Sequence, residues 1–131
     1  MKFTDLLKYI FLESIDTKLP DNFNTRSVDS CMLAAELITI KLLQQGIQNF
    51  IIHEGFIKIK GNDTGKMQHT WIEMNGLKID ETIKQFFPKD VDDTYIKNQT
   101  SYIKYKKYSP EEYLTLCQKY PVETDKHYFK K

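Results

Sequence analysis

The sequence predicts an α+β protein with a small, mainly antiparallel sheet. Residues 27–46 (SVDSCMLAAELITIKLLQQG) carry the apolar spacing of a long helix, and residues 46–61 and 67–82 change to the alternation typical of strands. Residues 109–121 return to a helical pattern. Helices followed by a run of strands and a further helix favour α+β over alternating βαβ units. A length of 131 residues suits a single domain, residues 1–131, with a central N-terminal helix packed on the sheet.

The N-terminal part predicts two helices separated by a polar loop. Residues 4–14 form an amphipathic pattern, and residues 18–26 (KLPDNFNTR) are rich in turn-forming residues. Ser27 or Asp29 can cap the second helix, and Gly46 suits its C-terminal end. Apolar residues surround most of this helix, which is typical of a central, buried helix.

The strand region contains one bend and one tight hairpin. Residues 46–61 fit one strand or two, with Gly55 as a bend or bulge. Asn75-Gly76 predicts a two-residue type I′ turn, because both central positions need positive φ. This turn fixes the register so that Glu73 faces Lys78.

The predicted register brings His69 and Asp80 onto the same face of the hairpin. Ile72, Met74, Leu77 and Ile79 occupy the other face, which is the expected core side. His69 and Asp80 are diagonal neighbours, about 7–8 Å apart at the backbone, which long side chains can bridge. A hydrogen bond there would fix the ring tautomer and favour the imidazolium. A histidine and an aspartate also meet by chance on a solvated face, so this pair alone leaves both interpretations open.

The C-terminal third predicts less structure. Residues 83–101 contain Pro88 and an acidic cluster, and we expect mostly loop with short structure there. Ser109, Pro110 and Glu112 then predict a capped helix that ends before Pro121. The role of residues 84–131 is otherwise open.

Composition and charge exclude several classes of protein. The chain has 19 basic and 18 acidic residues, a net charge of +1, and this balance produces no strong field to attract nucleic acid or an anionic membrane. The lysine runs at 104–108 and 129–131 fit a solvated face. No segment approaches the ~20 apolar residues of a membrane span, and residues 1–20 lack the pattern of a signal peptide. We expect a cytoplasmic protein with neither nucleic-acid nor membrane partners.

Cys31 is the candidate nucleophile. It lies in the first turn of the strongest predicted helix, where backbone amides and the helix dipole stabilise a thiolate. A cysteine there, with a histidine–carboxylate pair elsewhere, supplies nucleophile, base and orienting group. The alternative is a small buried hydrophobic residue, and we assign Cys117 to that class. Their spacing fits neither a zinc ribbon nor a disulfide framework.

The two stretches SCMLAAELITIKLLQQG and HTWIEMNGLKIDET together resemble the transglutaminase-like branch of the papain-like cysteine enzymes. The resemblance covers about residues 25–85 and rests on Cys31 at a helix start followed by "H-x-W-x-E" and "D-x-T". It implies a papain-like core in which Cys31, His69 and Asp80 form a catalytic triad. Trp71 is a candidate for the substrate cleft, although it could equally shield the His69–Asp80 bond or pack under the C-terminal segment.

The function that we expect is a cysteine hydrolase or acyltransferase acting on peptide or glutamine amides, with amide hydrolysis favoured over transfer. No cofactor is required, and the partner is a protein or peptide substrate. An oxyanion-binding side chain could come from Asn22, Asn24 or Arg26. An inactive binding module that presents Tyr95, Tyr102, Tyr105 and Tyr108 is the alternative, and a metal site at Cys31, His69 and Asp80 is a third.

Overall fold

A computed structural model describes residues 15–26, 30–61 and 65–121. The predicted helix at 4–14 and the candidate caps Ser27 and Asp29 lie outside the described residues.

The described chain contains helices and a four-stranded sheet. In chain order the elements are α1 (Ser30–Gln44), β1 (Ile51–Ile59), β2 (Met67–Met74), β3 (Leu77–Ile79), a 3-10 helix (Glu81–Phe86), α2 (Asp93–Gln99), β4 (Thr100–Tyr108) and α3 (Pro110–Lys119). The strand order is β3-β2-β1-β4, and all three pairs are antiparallel. The α+β class with a small antiparallel sheet is therefore confirmed. Within the described ranges, no helix has the length and apolar character needed to cross a bilayer.

The β2–β3 hairpin has the predicted turn and register. Asn75 and Gly76 both adopt positive φ, 53° and 76°. Glu73 pairs with Lys78 across the hairpin, as a two-residue loop of this type requires. This register brings the end of β3, and Asp80 after it, alongside β2.

β1 is a single strand that bends at Gly55. The pairing of β1 with β4 shifts register between Glu54 and Gly55, which is the predicted bulge. On its other side, Gly55 lies directly opposite His69 of β2.

Helix α1 packs its apolar residues on one face of the sheet. One buried cluster joins α1 to the sheet and to α3. It contains Leu33, Ala34, Ile38 and Leu42 of α1, Ile52 of β1, Ile72 and Met74 of β2, and Tyr113 of α3. The apolar surface of α1 thus contacts strands and a helix, as expected for a central helix. The helix ends at Gln44, two residues before Gly46, which has φ of 77°.

Both faces of β2 are buried. A second cluster contains Ile57 and Ile59 of β1 together with Ile83, Phe87 and Ile96 from the segment after β3. His69 and Trp71, on the face opposite Ile72, are also buried. β2 is therefore covered on both faces, because α1 packs on one face and the 3-10 helix and α2 supply apolar side chains for the other.

The expectation that residues 83–101 are mostly loop was wrong. They include most of the 3-10 helix, all of α2 and the start of β4, and Asp92 caps α2 by accepting a hydrogen bond from the Tyr95 amide. β4 was not predicted, because its lysines alternate with tyrosines on an edge strand and suggested a solvated run. α3, in contrast, begins with the predicted capping box of Ser109 and Glu112.

Candidate active site

His69 and Asp80 form a buried hydrogen-bonded pair. The Nε2 atom of His69 lies 2.8 Å from both carboxylate oxygens of Asp80. The side chains are 0% and 4% exposed. The pairing that the hairpin register predicted is present, and one ring nitrogen of His69 is committed to the carboxylate.

The Asp80 carboxylate receives two further hydrogen bonds. The Thr82 hydroxyl donates to Oδ1 at 3.3 Å, and the Tyr102 hydroxyl donates to Oδ2 at 2.8 Å. Each carboxylate oxygen thus has its own hydroxyl donor, and both oxygens also face the histidine ring. This arrangement restricts rotation of the carboxylate.

The second ring nitrogen of His69 faces a different environment. Nδ1 is buried and has no hydrogen-bond partner among the described residues. The Cys31 sulfur is nevertheless close enough to His69 for its hydrogen bonding and its charge to raise the pKa of the ring. The structure therefore brings together the three residues singled out in the sequence.

The pKa of His69 reflects two opposing effects. Burial lowers it, but the hydrogen bonds and charges of Asp80 and Cys31 outweigh burial and raise the pKa from 6.5 to about 9. His69 is thus an imidazolium at neutral pH. A cation at this position favours a negatively charged sulfur nearby.

Cys31 lies in the first turn of α1, beside a residue that α3 contacts. The helix begins at Ser30, and Cys31 is 8% exposed. The buried Tyr113 hydroxyl donates to the Met32 carbonyl oxygen at 2.9 Å. Burial raises the pKa of Tyr113, with the nearby Cys117 and Cys31 adding to this shift, so the phenol remains a donor. Sequence reasoning did not identify Tyr113, because a contact between α3 and the start of α1 has no local signal.

Trp71 forms the aromatic support of the histidine. It is 1% exposed, and its ring stacks on His69 with centroids 6.2 Å apart and planes at 18°. Phe86 of the 3-10 helix meets His69 edge-on at 5.5 Å. Of the roles considered for Trp71, this position fits shielding of the His69–Asp80 pair from water.

Cys117 provides a contrast to Cys31. It is buried in α3, and burial, with the charge of Glu36, raises its pKa from 9.0 to about 11. A thiol in this state is a poor nucleophile at neutral pH. This environment agrees with a structural role.

The oxyanion candidates differ in how they are engaged. The Arg26 guanidinium donates to the carbonyl oxygens of Lys84 and Phe87, the first at 2.8 Å. Asn24 accepts a hydrogen bond from the Arg26 amide at 3.1 Å. Arg26 therefore fastens the segment before α1 to the end of the 3-10 helix, while Asn22 is exposed.

A cavity of about 480 Å³ lies beside the carboxylate, and both Asp80 and Tyr102 line it. Its wall also includes Lys78, Lys84 and Lys97. Asp80 and Tyr102 thus separate the buried histidine from a space that can hold water.

A second histidine belongs to a separate charged cluster. Nε2 of His53 lies 3.2 Å from Glu73, and Lys104 lies 3.1 Å from the same carboxylate. Lys78, its predicted cross-strand partner, is more distant at 3.8 Å. In the described part of the chain, no three His, Cys, Asp or Glu side chains are grouped as metal ligands.

Comparisons with protein-family models, with curated proteins and with solved structures give no significant match for this chain. The transglutaminase-like resemblance thus stays a prediction from the two sequence stretches that carry it.

Proposed function

We propose that the protein is a cysteine hydrolase or acyltransferase acting on peptide or glutamine amides, with a papain-like, transglutaminase-like core. The observation that carries the proposal is the His69 ring, fixed through Nε2 by a buried carboxylate and close to the Cys31 sulfur. Nucleophile, base and orienting acid in this relation are the requirements of thiol acyl transfer.

Acylation begins from the Cys31 thiolate and the His69 imidazolium. The sulfur attacks the amide carbonyl carbon, forming a C–S bond while the carbonyl electron pair moves to oxygen. In this scheme the backbone amide of Cys31, at the start of α1, donates to that oxyanion. When the carbonyl reforms, the C–N bond breaks and His69 gives its proton to the leaving nitrogen. The product of this half is an acyl-thioester and a free amine or ammonia.

Deacylation reverses the proton flow. The water oxygen, or the nitrogen of an acceptor amine, adds to the thioester carbon. Neutral His69 takes a proton from this water or amine as it adds. The C–S bond then breaks and the thiolate leaves, which restores the thiolate–imidazolium pair. Asp80 keeps the same ring nitrogen engaged through both halves. We favour water as the acceptor.

The alternative, an inactive binding module, loses two of the four tyrosines that were expected to form its contact surface. Two of the tyrosines offered for a contact surface serve inside the fold: Tyr102 bonds to Asp80, and Tyr108 is buried against Tyr113. Tyr95 and Tyr105 remain exposed.

Thiol alkylation against pH tests the proposal. Iodoacetamide rates at Cys31 and Cys117 are measured separately by peptide mass spectrometry between pH 5 and 10. Cys31 is expected to react rapidly well below pH 8, because the imidazolium stabilises its thiolate, whereas Cys117, with a pKa of about 11, stays slow.

His69→Ala should slow Cys31 by about 10-fold or more at pH 7. The matched control is His53→Ala, which removes the other buried strand histidine and should leave the Cys31 rate unchanged. Both cysteines of the folded wild-type protein could instead label slowly and at equal rates, with the rates rising only at alkaline pH. That result would exclude an activated thiol and contradict the proposal.

A further inference from the structure

We propose that Tyr102 of β4 is a positioning residue of this site: its hydroxyl fixes the Asp80 carboxylate, and through it the His69 ring, in the orientation that serves Cys31. The inference rests on the proposed function and extends it to a residue outside the triad.

The hydroxyl of Tyr102 makes the shorter of the two hydroxyl contacts to the carboxylate. It lies 2.8 Å from Oδ2, compared with 3.3 Å from Thr82 to Oδ1. Asp80 has little exposed surface, so a lost donor cannot be replaced by bulk water without a local change. Hydrogen bonds to a charged acceptor contribute roughly twice as much as neutral ones.

The fold places Tyr102 on the same sheet face as the histidine. Tyr102 lies opposite Ile57 in the β1–β4 pair, and Ile57 lies opposite Met67, two residues before His69. Opposite residues in an antiparallel sheet share a face. β4 therefore brings a third strand to the site, in addition to the hairpin that carries the triad histidine and aspartate.

The ring of Tyr102 is fixed as firmly as its hydroxyl. It meets Trp71 edge-on with centroids 4.8 Å apart, and the Lys78 ammonium lies 5.0 Å from its centroid. Trp71 in turn stacks on His69. The phenol is thus oriented by an aromatic ring that also supports the base.

The chemistry of the phenol suits a permanent donor. Burial raises the pKa of Tyr102, and the charge and hydrogen bond of Asp80 add to the shift. Tyr102 keeps its proton across the working pH range, so Oδ2 always has a donor. Because Tyr102 and Asp80 share a wall of the cavity, removal of the hydroxyl opens Oδ2 to water from that side. A hydrated and more mobile carboxylate attracts the imidazolium less.

The test compares Tyr102→Phe with Tyr105→Phe, a hydroxyl deletion on the same strand at a residue that is 76% exposed. The His69 ring is titrated by NMR in each protein, and Cys31 alkylation is measured in parallel. We expect the His69 midpoint to fall by about one pH unit in Tyr102→Phe. The Cys31 rate at pH 7 should fall several-fold, and Tyr105→Phe should match wild type in both readouts.

The two readouts separate the two proposals. A slow Cys31 in the wild-type protein contradicts the proposed function, whereas the NMR midpoint still reports whether Tyr102 acts on His69. An unchanged midpoint in Tyr102→Phe overturns the inference. A lower Tm of Tyr102→Phe does not change this conclusion. A lower Tm with an unchanged His69 midpoint would mean that the hydroxyl stabilises the fold without positioning His69.

Discussion

At the scale of single residues, the Asp80 carboxylate governs the state of the site. It is buried and accepts hydrogen bonds from the ring of His69 and the hydroxyls of Thr82 and Tyr102. The charge of Asp80 and its hydrogen bond to the ring raise the pKa of His69 and oppose the tendency of burial to neutralise it.

Asp80→Asn should lower the pKa of His69 by about 2 units from its value of about 9, because the charge of Asp80 would no longer oppose the effect of burial. NMR titration of the ring measures the change directly. The exposed Asp90 supplies the control, Asp90→Asn, which should leave the His69 midpoint unmoved. A midpoint still near 9 in Asp80→Asn would show that another group holds the proton on His69.

The contacts of Asp80 also show which site residues a sequence can predict. The His69–Asp80 pair follows from Asn75-Gly76, because a two-residue turn fixes the register of the residues around it. Tyr102 and Tyr113 reach the site through β4 and α3, which are distant in sequence, so no local spacing indicates them. The proximity of Cys31 to His69 was inferred from the chemistry of the residue types, since no register connects a helix start to a strand.

At the scale of elements, the bulge in β1 allows three strands to approach the site closely. A Cβ added at Gly55 would lie 2.1 Å from the Ile103 carbonyl oxygen and 3.1 Å from Cη2 of Trp71. The backbone of β4 and the indole that supports His69 therefore occupy the space of a side chain at this position.

Gly55→Ala should destabilise the protein by about 3 kcal/mol, because either β4 or Trp71 must move to admit the methyl group. Urea unfolding measures the change. Gly46→Ala is the comparison: its Cβ would meet nothing within 4 Å, but its φ of 77° is unfavourable for alanine, so it should cost about 1 kcal/mol. Equal losses in the two variants would contradict a steric origin at Gly55.

The elements differ in how far their sequences specify them. The helix α3 and the β2–β3 hairpin were predicted, since a capping box and an Asn-Gly turn act locally. β4 was not, because its residues form a strand only when they pair with β1, and its exposed lysines are equally typical of a solvated loop. Lysines on an edge strand also discourage pairing with other chains. The alternation of Ile103 and Tyr105 with Lys104 and Lys106 was the available signal.

At the scale of the whole molecule, two buried histidines on β1 and β2 have pKa values that are shifted in opposite directions. Burial lowers the pKa of His53, and Lys104 and Lys107 add to this against the attraction of Glu73. The pKa of His69 is raised to about 9. Both rings stack on Trp71, with centroids 5.7 Å away for His53 and 6.2 Å away for His69. The same sheet face thus holds one histidine that favours the neutral form and one that favours the cation.

Stability should therefore be greatest near pH 6.5 to 7 and should decline on both sides. The folded state holds a proton on His69 more tightly than the unfolded chain does, so this stabilisation is complete below pH 6.5 and is lost as pH rises towards 9. The loss is about 3 kcal/mol. The unfolded chain protonates His53 more readily than the folded state does, so stability also falls as pH drops below 6.5.

Urea unfolding between pH 5.5 and 9 measures both limbs. Asp80→Asn should flatten the alkaline limb and His53→Phe the acid limb, each without altering the other. A stability that rises steadily from pH 6.5 to 9 in the wild-type protein would mean that His69 is neutral in the folded state, and the thiolate–imidazolium pair would then have no cation to sustain it.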